Sequence, residues 1–512
     1  MELYRFLAGL LSSLPIQLIP LGLGRLAAHP TLLSPAAVAQ VPEPPAESTV
    51  ILGAGVIGLS TAYYLALALN ETTTFKPPIV VIEPSHDVCP AASGEATGGL
   101  GDFGFSAQTS PLGSLSYSLH QTLAAAYGGT EQYGFSDLAI YRLSPEGFRG
   151  KYSPPDSWGP AAPVRKSRED LPPWVRVQPN EDWAVHLMAE APHAAHLDPR
   201  RFCYFLRDRC KELGVQFRFN SRVTTLTRSP TSETFTSVTV QQTTRGPEPS
   251  RDDTITITKP KIKTEVLSCN ALIIASGPWT PRVLSTLFPH SPLKLRMNMS
   301  STRSAGNHLL IRNPHWKHGN DTHGVTQVFF NNVLPNATRL DVTSFLGGYL
   351  YLGGWGAVPQ ELPGEADEIE PQPEEIEAMV KVARRVLCLG TQGEMEVVSA
   401  GRCYRPLAEP DRPVITRVPW GLLGEERARK RVCGGCTAFA EGGGGGGEHQ
   451  ISVSDRPVSP VIGGLYINTA HNSDGVTLGP GSGKLMSELL LGRETSVPAG
   501  DFGLQSERLE RL

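Results

Sequence analysis

"STVILGAGVIGLSTAYYLALAL", residues 48–69, places a short apolar strand, three glycines spaced G-x-G-x-x-G and an alanine-rich run in direct succession. The pattern predicts a buried parallel strand over 49–52, a turn, and a helix to about Ala68. A second apolar run, "IVVIEP", starts at Ile79 and ends in the acid Glu83. Together they make a βαβ unit with a carboxylate after the second strand, the layout that dinucleotide binding requires. Gly53 permits the tight turn, Gly55 lets backbone amides approach a pyrophosphate, and Gly58 lets helix and strand pack closely. Ala54, Val56 and Ile57 belong to the same turn, whose helix N-terminus favours an anion. Glu83 is placed to accept the hydroxyls of an adenosine ribose, and an acid there disfavours a 2′-phosphate.

The rest of the composition is that of a globular protein. A chain of 512 residues is long enough for two cores, and 40% hydrophobic with 19% charged residues is ordinary. A formal net charge of -4 gives no basic footprint for nucleic acid. Eight scattered cysteines do not read as a disulfide framework at this size, and no metal site is expected. Cys433 and Cys436 have CxxC spacing but no second pair, so ordinary thiols are the simpler reading.

Residues 1–47 read as a leader, disordered or targeting. Its uncharged stretch from Phe6 to Gly24 is interrupted by Pro15, Gln17 and Pro20, so no stable membrane span is expected. The C-terminal "ERL" is a poor peroxisome-like tripeptide. An intracellular compartment is favoured, with the leader ambiguous.

Beyond the first unit the nucleotide-binding pieces recur. "HLDPRRFCYFLRDRCKELGVQFRFNSRVTTLTR" (196–228) reads as helix and strands, and "LIIASGPWT" (272–280) as a buried strand ending in small residues. "LYINTAHNSDGVTLGPGSGKL" (465–485) reads as a strand, a glycine-broken turn and a helix. The expected organisation is a discontinuous cofactor-binding domain over 48–112, 196–289 and 460–500. A substrate domain built on an antiparallel sheet takes 113–195 and 290–423, and a glycine-rich insertion takes 424–459. "GPGSGKL" is not a P-loop, because Leu478 and Leu485 stand where that motif needs Gly and Ser or Thr. No second G-x-G-x-x-G unit is present to hold NAD(P)H.

Five stretches resemble the D-amino-acid oxidase family of FAD-dependent oxidoreductases, the group with glycine oxidase and sarcosine oxidase. They are "ILGAGVIGLSTAYYLA", "ASGEATGGLG" (92–101), "HLDPRRF…NSRVTTL", "LIIASGPWT", and "CYRPLAEPDRPVI" joined to the closing turn. The resemblance implies an FAD-binding Rossmann-like α/β domain interleaved with an α+β substrate domain. It implies that Ser93, Gly94, Thr97 and Gly98 pass beside the cofactor and that the Val223 backbone clasps the adenine. Ala275, Ser276, Gly277 and Trp279 flank the cofactor at a strand end. Gly475, Val476 and Thr477 bring amides to the flavin carbonyls, where a helix N-terminus stabilises negative charge.

The same resemblance implies that Arg405 grips a substrate carboxylate and that His471 lies near the flavin, as a tuner of its chemistry or as an ordinary packed histidine. Cys403, two residues before Arg405, is either a covalent flavin link, as in the sarcosine oxidase branch, or a buried inert thiol. Ser473 stands where glycine oxidase has a second arginine. The expected reaction oxidises a C–N bond of a small amino acid or secondary amine by hydride transfer to flavin N5, with O2 as acceptor giving H2O2. The alternative is a flavin-binding trafficking or assembly factor of the same fold with little turnover.

Overall fold

The computed structural model describes residues 47–72, 76–146, 163–177, 182–230, 232–244, 261–297, 304–316, 325–331, 333, 339–355, 361–389, 395–408, 412–424 and 459–504. The expected leader, the insertion and the Cys433/Cys436 pair lie outside these residues apart from their edges. The strands are β1 (Thr49–Leu52), β2 (Ile79–Ile82), β3 (Gly99–Gly101), β4 (Ser136–Pro145), β5 (Val164–Lys166), β6 (Trp183–Ala189), β7 (Ala194–His196), β8 (Gln216–Arg218), β9 (Ser221–Arg228) and β10 (Phe235–Thr244). They continue with β11 (Lys261–Ser268), β12 (Ala271–Ile274), β13 (Ala305–Arg312), β14 (Val325–Phe330), β15 (Leu340–Phe345), β16 (Tyr349–Trp355), β17 (Val397–Tyr404), β18 (Val414–Arg417) and β19 (Gly464–Thr469). The helices are α1 (Val56–Thr72), α2 (Ser110–Tyr127), α3 (Gly129–Tyr133), α4 (Pro199–Glu212), α5 (Thr280–Leu287), α6 (Pro373–Val386) and α7 (Gly475–Leu490).

The apolar run after Ser48 becomes a central strand of a six-stranded sheet ordered β18-β19-β12-β1-β2-β8. β1 pairs in parallel with β2 and β12, and β12 with β19. A parallel strand covered on both faces needs apolar side chains throughout, which is why Val50, Ile51 and Leu52 run together. Ile51, Val81, Ile273 and Tyr466 enter one core with α1, α4 and α7. Val50, Leu52, Ile82, Leu272 and Ile467 enter the opposite core, closed by β10 and α5.

The second large sheet runs β17-β13-β16-β15-β14-β4-β6-β5. It is antiparallel as expected except at one place, where β14 lies parallel to β4. These two strands come from distant parts of the chain, so no hairpin forces them to oppose one another. Alternation along the strands gives the sheet two unlike faces. Leu309, Val328, Leu340, Val342, Leu350 and Leu352 pack on Met379 and Ala383 of α6. Their neighbours in sequence, His308, Gln327, Asp341 and Tyr351, take the other face.

Two placements differ from the organisation read in the sequence. β18, from the 290–423 stretch, is the antiparallel edge of the six-stranded sheet. Tyr117 and Leu123 of α2, from the 113–195 stretch, join the core of α1 and α7.

The closing turn also differs. Instead of a glycine-broken turn before a helix, α7 begins at Gly475 and continues through Gly479, Pro480, Gly481 and Gly483. Two neighbours make this tolerable. Gly479 and Gly483 let α1 approach: a Cβ on Gly483 would lie 2.4 Å from the Ser60 carbonyl carbon. Pro480 has no N–H for the Val476 carbonyl, four residues earlier. His120 Nε2 of α2 takes that place at 3.0 Å. Ser116 Oγ donates to the Thr477 carbonyl at 2.6 Å and accepts from Gly481 N at 2.8 Å. Burial pushes the His120 pKa down to about 4, so the ring is neutral and donates through Nε2.

This contact makes a direct prediction. Gly483→Ala should cost about 2–3 kcal/mol, because the obstacle is backbone and cannot rotate away. Gly421→Ala, where nothing lies within 4 Å, should leave stability unchanged. Thermal unfolding of the two variants beside the parent checks both.

Candidate active site

The glycine turn is held by contacts that leave no room for side chains. Gly53 has φ +107°, and a Cβ there would meet the Ala275 carbonyl oxygen at 2.5 Å. A Cβ on Gly58 would stand 2.0 Å from the Gly53 oxygen. Ala54 N donates to Glu83 Oε2 at 2.8 Å, and Ser85 N to Glu83 Oε1 at 3.1 Å. Glu83 therefore ties the turn to the end of β2. Burial pushes its pKa up to about 7, against the pull of those two amides, with Asp367 and Glu365 adding to the rise. Val56 N donates to Ser93 Oγ at 3.0 Å, which fastens the 92–101 loop over the start of α1.

From this turn a cavity of about 670 Å³ runs to the polar face of the second sheet. Of the residues singled out in the sequence, Gly53, Gly55, Val56, Ile57, Glu83, Ser93, Thr97, Val223, Ala275, Ser276, Gly277, Trp279, Cys403, Arg405, His471, Gly475 and Val476 line it. Glu83 and Val223 lie on adjoining elements, since Ser221 N donates to the Glu83 carbonyl at 3.0 Å. Ala54, Gly58, Gly94, Gly98 and Thr477 do not line the cavity but pack behind it. A Cβ on Gly94 would meet the Cys89 oxygen at 2.5 Å, and one on Gly98 the Leu197 oxygen at 2.0 Å. The small residues of that loop serve its path rather than direct contact.

At the other end of the cavity, β17 presents alternate residues to opposite sides. Arg402 faces α6 and pairs with Glu375 at 3.1 Å, while Cys403 and Arg405 line the cavity. Burial pushes the Cys403 thiol up, and Arg405 and Arg402 oppose that shift. A thiol held protonated is a poor nucleophile. His471 is buried, its pKa is pushed down to about 3 by that burial, and Nε2 meets Ser482 Oγ at 2.8 Å. It is neutral at physiological pH. Its Nδ1 has no hydrogen-bond partner among the described residues. Trp279 Nε1 donates to the Pro363 carbonyl at 2.9 Å, a packing role.

The wall residues missed in the sequence include Glu95, Asp341 and Tyr351. Glu95 pairs with Arg200 of α4 and with His308 Nε2 of β13, the latter at 2.7 Å. Tyr351 donates to the Glu95 carbonyl at 2.6 Å and stacks on His308 with centroids 5.1 Å apart. The one available signal was a lone acid in the alternating strand "LDVTSF", where apolar partners predict a polar second face.

A model of the family described as FAD-dependent oxidoreductase, DAO, matches residues 48–489. The chain belongs to this family. Its cofactor is FAD. It is similar to C1F5.03c of Schizosaccharomyces pombe, provisionally named an oxidoreductase, with 23% identity over 452 residues, 86% of this chain and 93% of that one. Among solved structures, glycine oxidase from Geobacillus kaustophilus is 17% identical with TM-score 0.58, covering 90% of this chain and 98% of its own. L-proline dehydrogenase from P. horikoshii is 13% identical with TM-score 0.58, covering 90% and 97%. These likenesses show the fold.

The cavity fits such a group. Two helix N-termini, α1 at Val56 and α7 at Gly475, line it, and helix N-termini favour the phosphate and the electron-rich edge of a flavin. The glycines at 53 and 55 clear the path: a Cβ on Gly55 would already stand 3.0 Å from Ser93 Oγ. Among the described residues no metal-binding cluster occurs, and no helix is long and apolar enough to cross a membrane.

Glu83 gives this site a pH signature in the cofactor-free protein. Its folded pKa, about 7, lies above the ordinary 4.5, so its contribution is full below pH 4.5 and is lost as pH rises towards 7. The loss amounts to ~3 kcal/mol at most. Glu83→Gln should remove that slope. Denaturant unfolding of both proteins across pH 4.5–7.5, read as their difference, checks it.

Proposed function

We propose that the protein oxidises a C–N bond of a small amino acid or secondary amine, with the substrate carboxylate on Arg405 and O2 as the usual acceptor, giving H2O2. The observation that carries this reading is Arg405 in the lining of the same cavity as Gly475, Val476 and His471. Planar guanidinium and carboxylate match as a bidentate pair. Bound FAD supplies a two-electron acceptor for a hydride from the carbon beside nitrogen.

The chain's own residues then orient and shield. Glu83 and Val223 would hold the adenosine end, Gly53, Gly55, Val56 and Ile57 the pyrophosphate, and Ser93 and Thr97 the path between, with Ala54 tying the turn to Glu83 from behind. Ala275, Ser276 and Gly277 leave space at the strand end. The amides of Gly475 and Val476 hold the far edge of the ring system. Neutral His471 adds no charge there, and Cys403, with its thiol raised, stays unlinked. Orientation rather than acid–base work carries the rate. A second reading, a flavin-binding trafficking or assembly factor with little turnover, is favoured by Ser473, an exposed serine on the cavity rim where glycine oxidase carries another arginine.

Anaerobic mixing with amino acids, N-methyl amino acids and polyamines separates the two. The oxidase reading expects at least one amine to bleach the flavin; a panel that leaves it yellow favours the second. Arg405→Met should lower kcat/KM for such a substrate by about 10²-fold, while the flavin stays bound. Unfolding the parent in denaturant should release all of its flavin from the polypeptide.

A further inference from the structure

The sheet face that carries Arg405 also carries a carboxylate. On β15, Leu340 and Val342 pack towards α6, so the pleat turns Asp341 and Thr343 the other way, and Asp341 lines the cavity. It is only 8% exposed. Gln327 Nε2 of β14 donates to both of its oxygens at 2.9 Å, and Thr343 Oγ1 reaches Oδ1 at 3.4 Å. A single amide nitrogen serving both oxygens leaves most of a carboxylate's acceptor positions unused. A buried charge in that condition is costly unless a further group completes it.

Burial pushes the Asp341 carboxyl up, and Arg339, Gln327, Thr343 and Arg405 oppose that shift by favouring its ionised form. One cavity wall therefore presents both a carboxylate and Arg405, the guanidinium assigned above to the substrate's acid. Among the other carboxylates on the wall, Glu83 takes two backbone amides, Glu95 is held by Arg200 and His308, and Glu365 pairs with Arg222. We propose that Asp341 and Arg405 form a two-ended receptor for a zwitterion, Arg405 meeting the carboxylate and Asp341 an N–H of the amine in the same molecule. This rests on the oxidase reading above and narrows its substrate class to amino acids that keep at least one N–H. A simple carboxylate lacks the group that Asp341 needs.

The test compares two ligands of nearly the same shape on the FAD-loaded full chain, read as perturbation of the oxidised flavin spectrum. 2-Aminoisobutyrate and trimethylacetate differ by an ammonium in place of a methyl, and neither has a C–H on the α-carbon to lose. The parent should bind the amino acid at least ~10-fold more tightly, and Asp341→Asn should bring the two within about 3-fold. Each ratio is taken within one preparation, so altered stability does not enter it; Asp341→Ser serves equally should the Asn variant lose flavin. An unchanged ratio in the variant would mean that Asp341 only neutralises its arginines. That result, or a parent that does not prefer the amino acid, overturns the proposal. A parent that shows the preference but is bleached by no amine would instead retain the receptor and sink the oxidase reading.

Discussion

The close passage of α7 across α1 is the contact on which the site depends. It exists because Gly479 and Gly483 have no side chains where Val56 and Ser60 lie against them. That approach holds two helix N-termini beside one cavity, one offered to phosphates and one to the electron-rich edge of a ring. Neither dipole contributes more than about 1–2 kcal/mol, but both are fixed before anything binds. The arrangement is secured from a third side, since Ser116 and His120 of α2 supply the hydrogen bonding disturbed around Pro480.

The second sheet contributes through alternation alone. One face is a leucine and valine surface under α6; the other presents His308, Gln327, Asp341, Tyr351 and Cys403. Two links, the ion pair of Glu95 with Arg200 and the contact of Glu95 with His308 Nε2, tie the loop over the glycine turn to both the helix layer and this polar face. On this face Glu95, Arg200, His308 and Tyr351 are joined to one another, while Asp341 keeps spare acceptor capacity.

Much of the cofactor half was legible in the sequence, for a mechanical reason. A turn on which a Cβ at position 53 would stand 2.5 Å from the Ala275 carbonyl oxygen admits only glycine there, so the requirement is written in one residue and in its spacing to the next. Glu83 was legible because it ends an apolar strand, where a charge has few other reasons to stand. The helical course of 475–483 was not, since glycine and proline argue locally against a helix and only the packing of α1 and α2 outweighs them. The parallel β4–β14 pair was hidden because pairing between distant strands leaves no local mark. Asp341 left only a faint mark, a lone acid alternating with apolar residues, which predicts a polar face but not that this face lines a cavity.

The central claim is that a single extended dinucleotide lies between the N-termini of α1 and α7, its adenosine end at Glu83. Chromatographic identification and quantitation of the flavin released by denaturing the purified full chain tests it most directly. One equivalent of FAD per chain is the predicted result. A colourless protein, or one that releases FMN and so leaves the Glu83 end of the cavity without a partner, would contradict it.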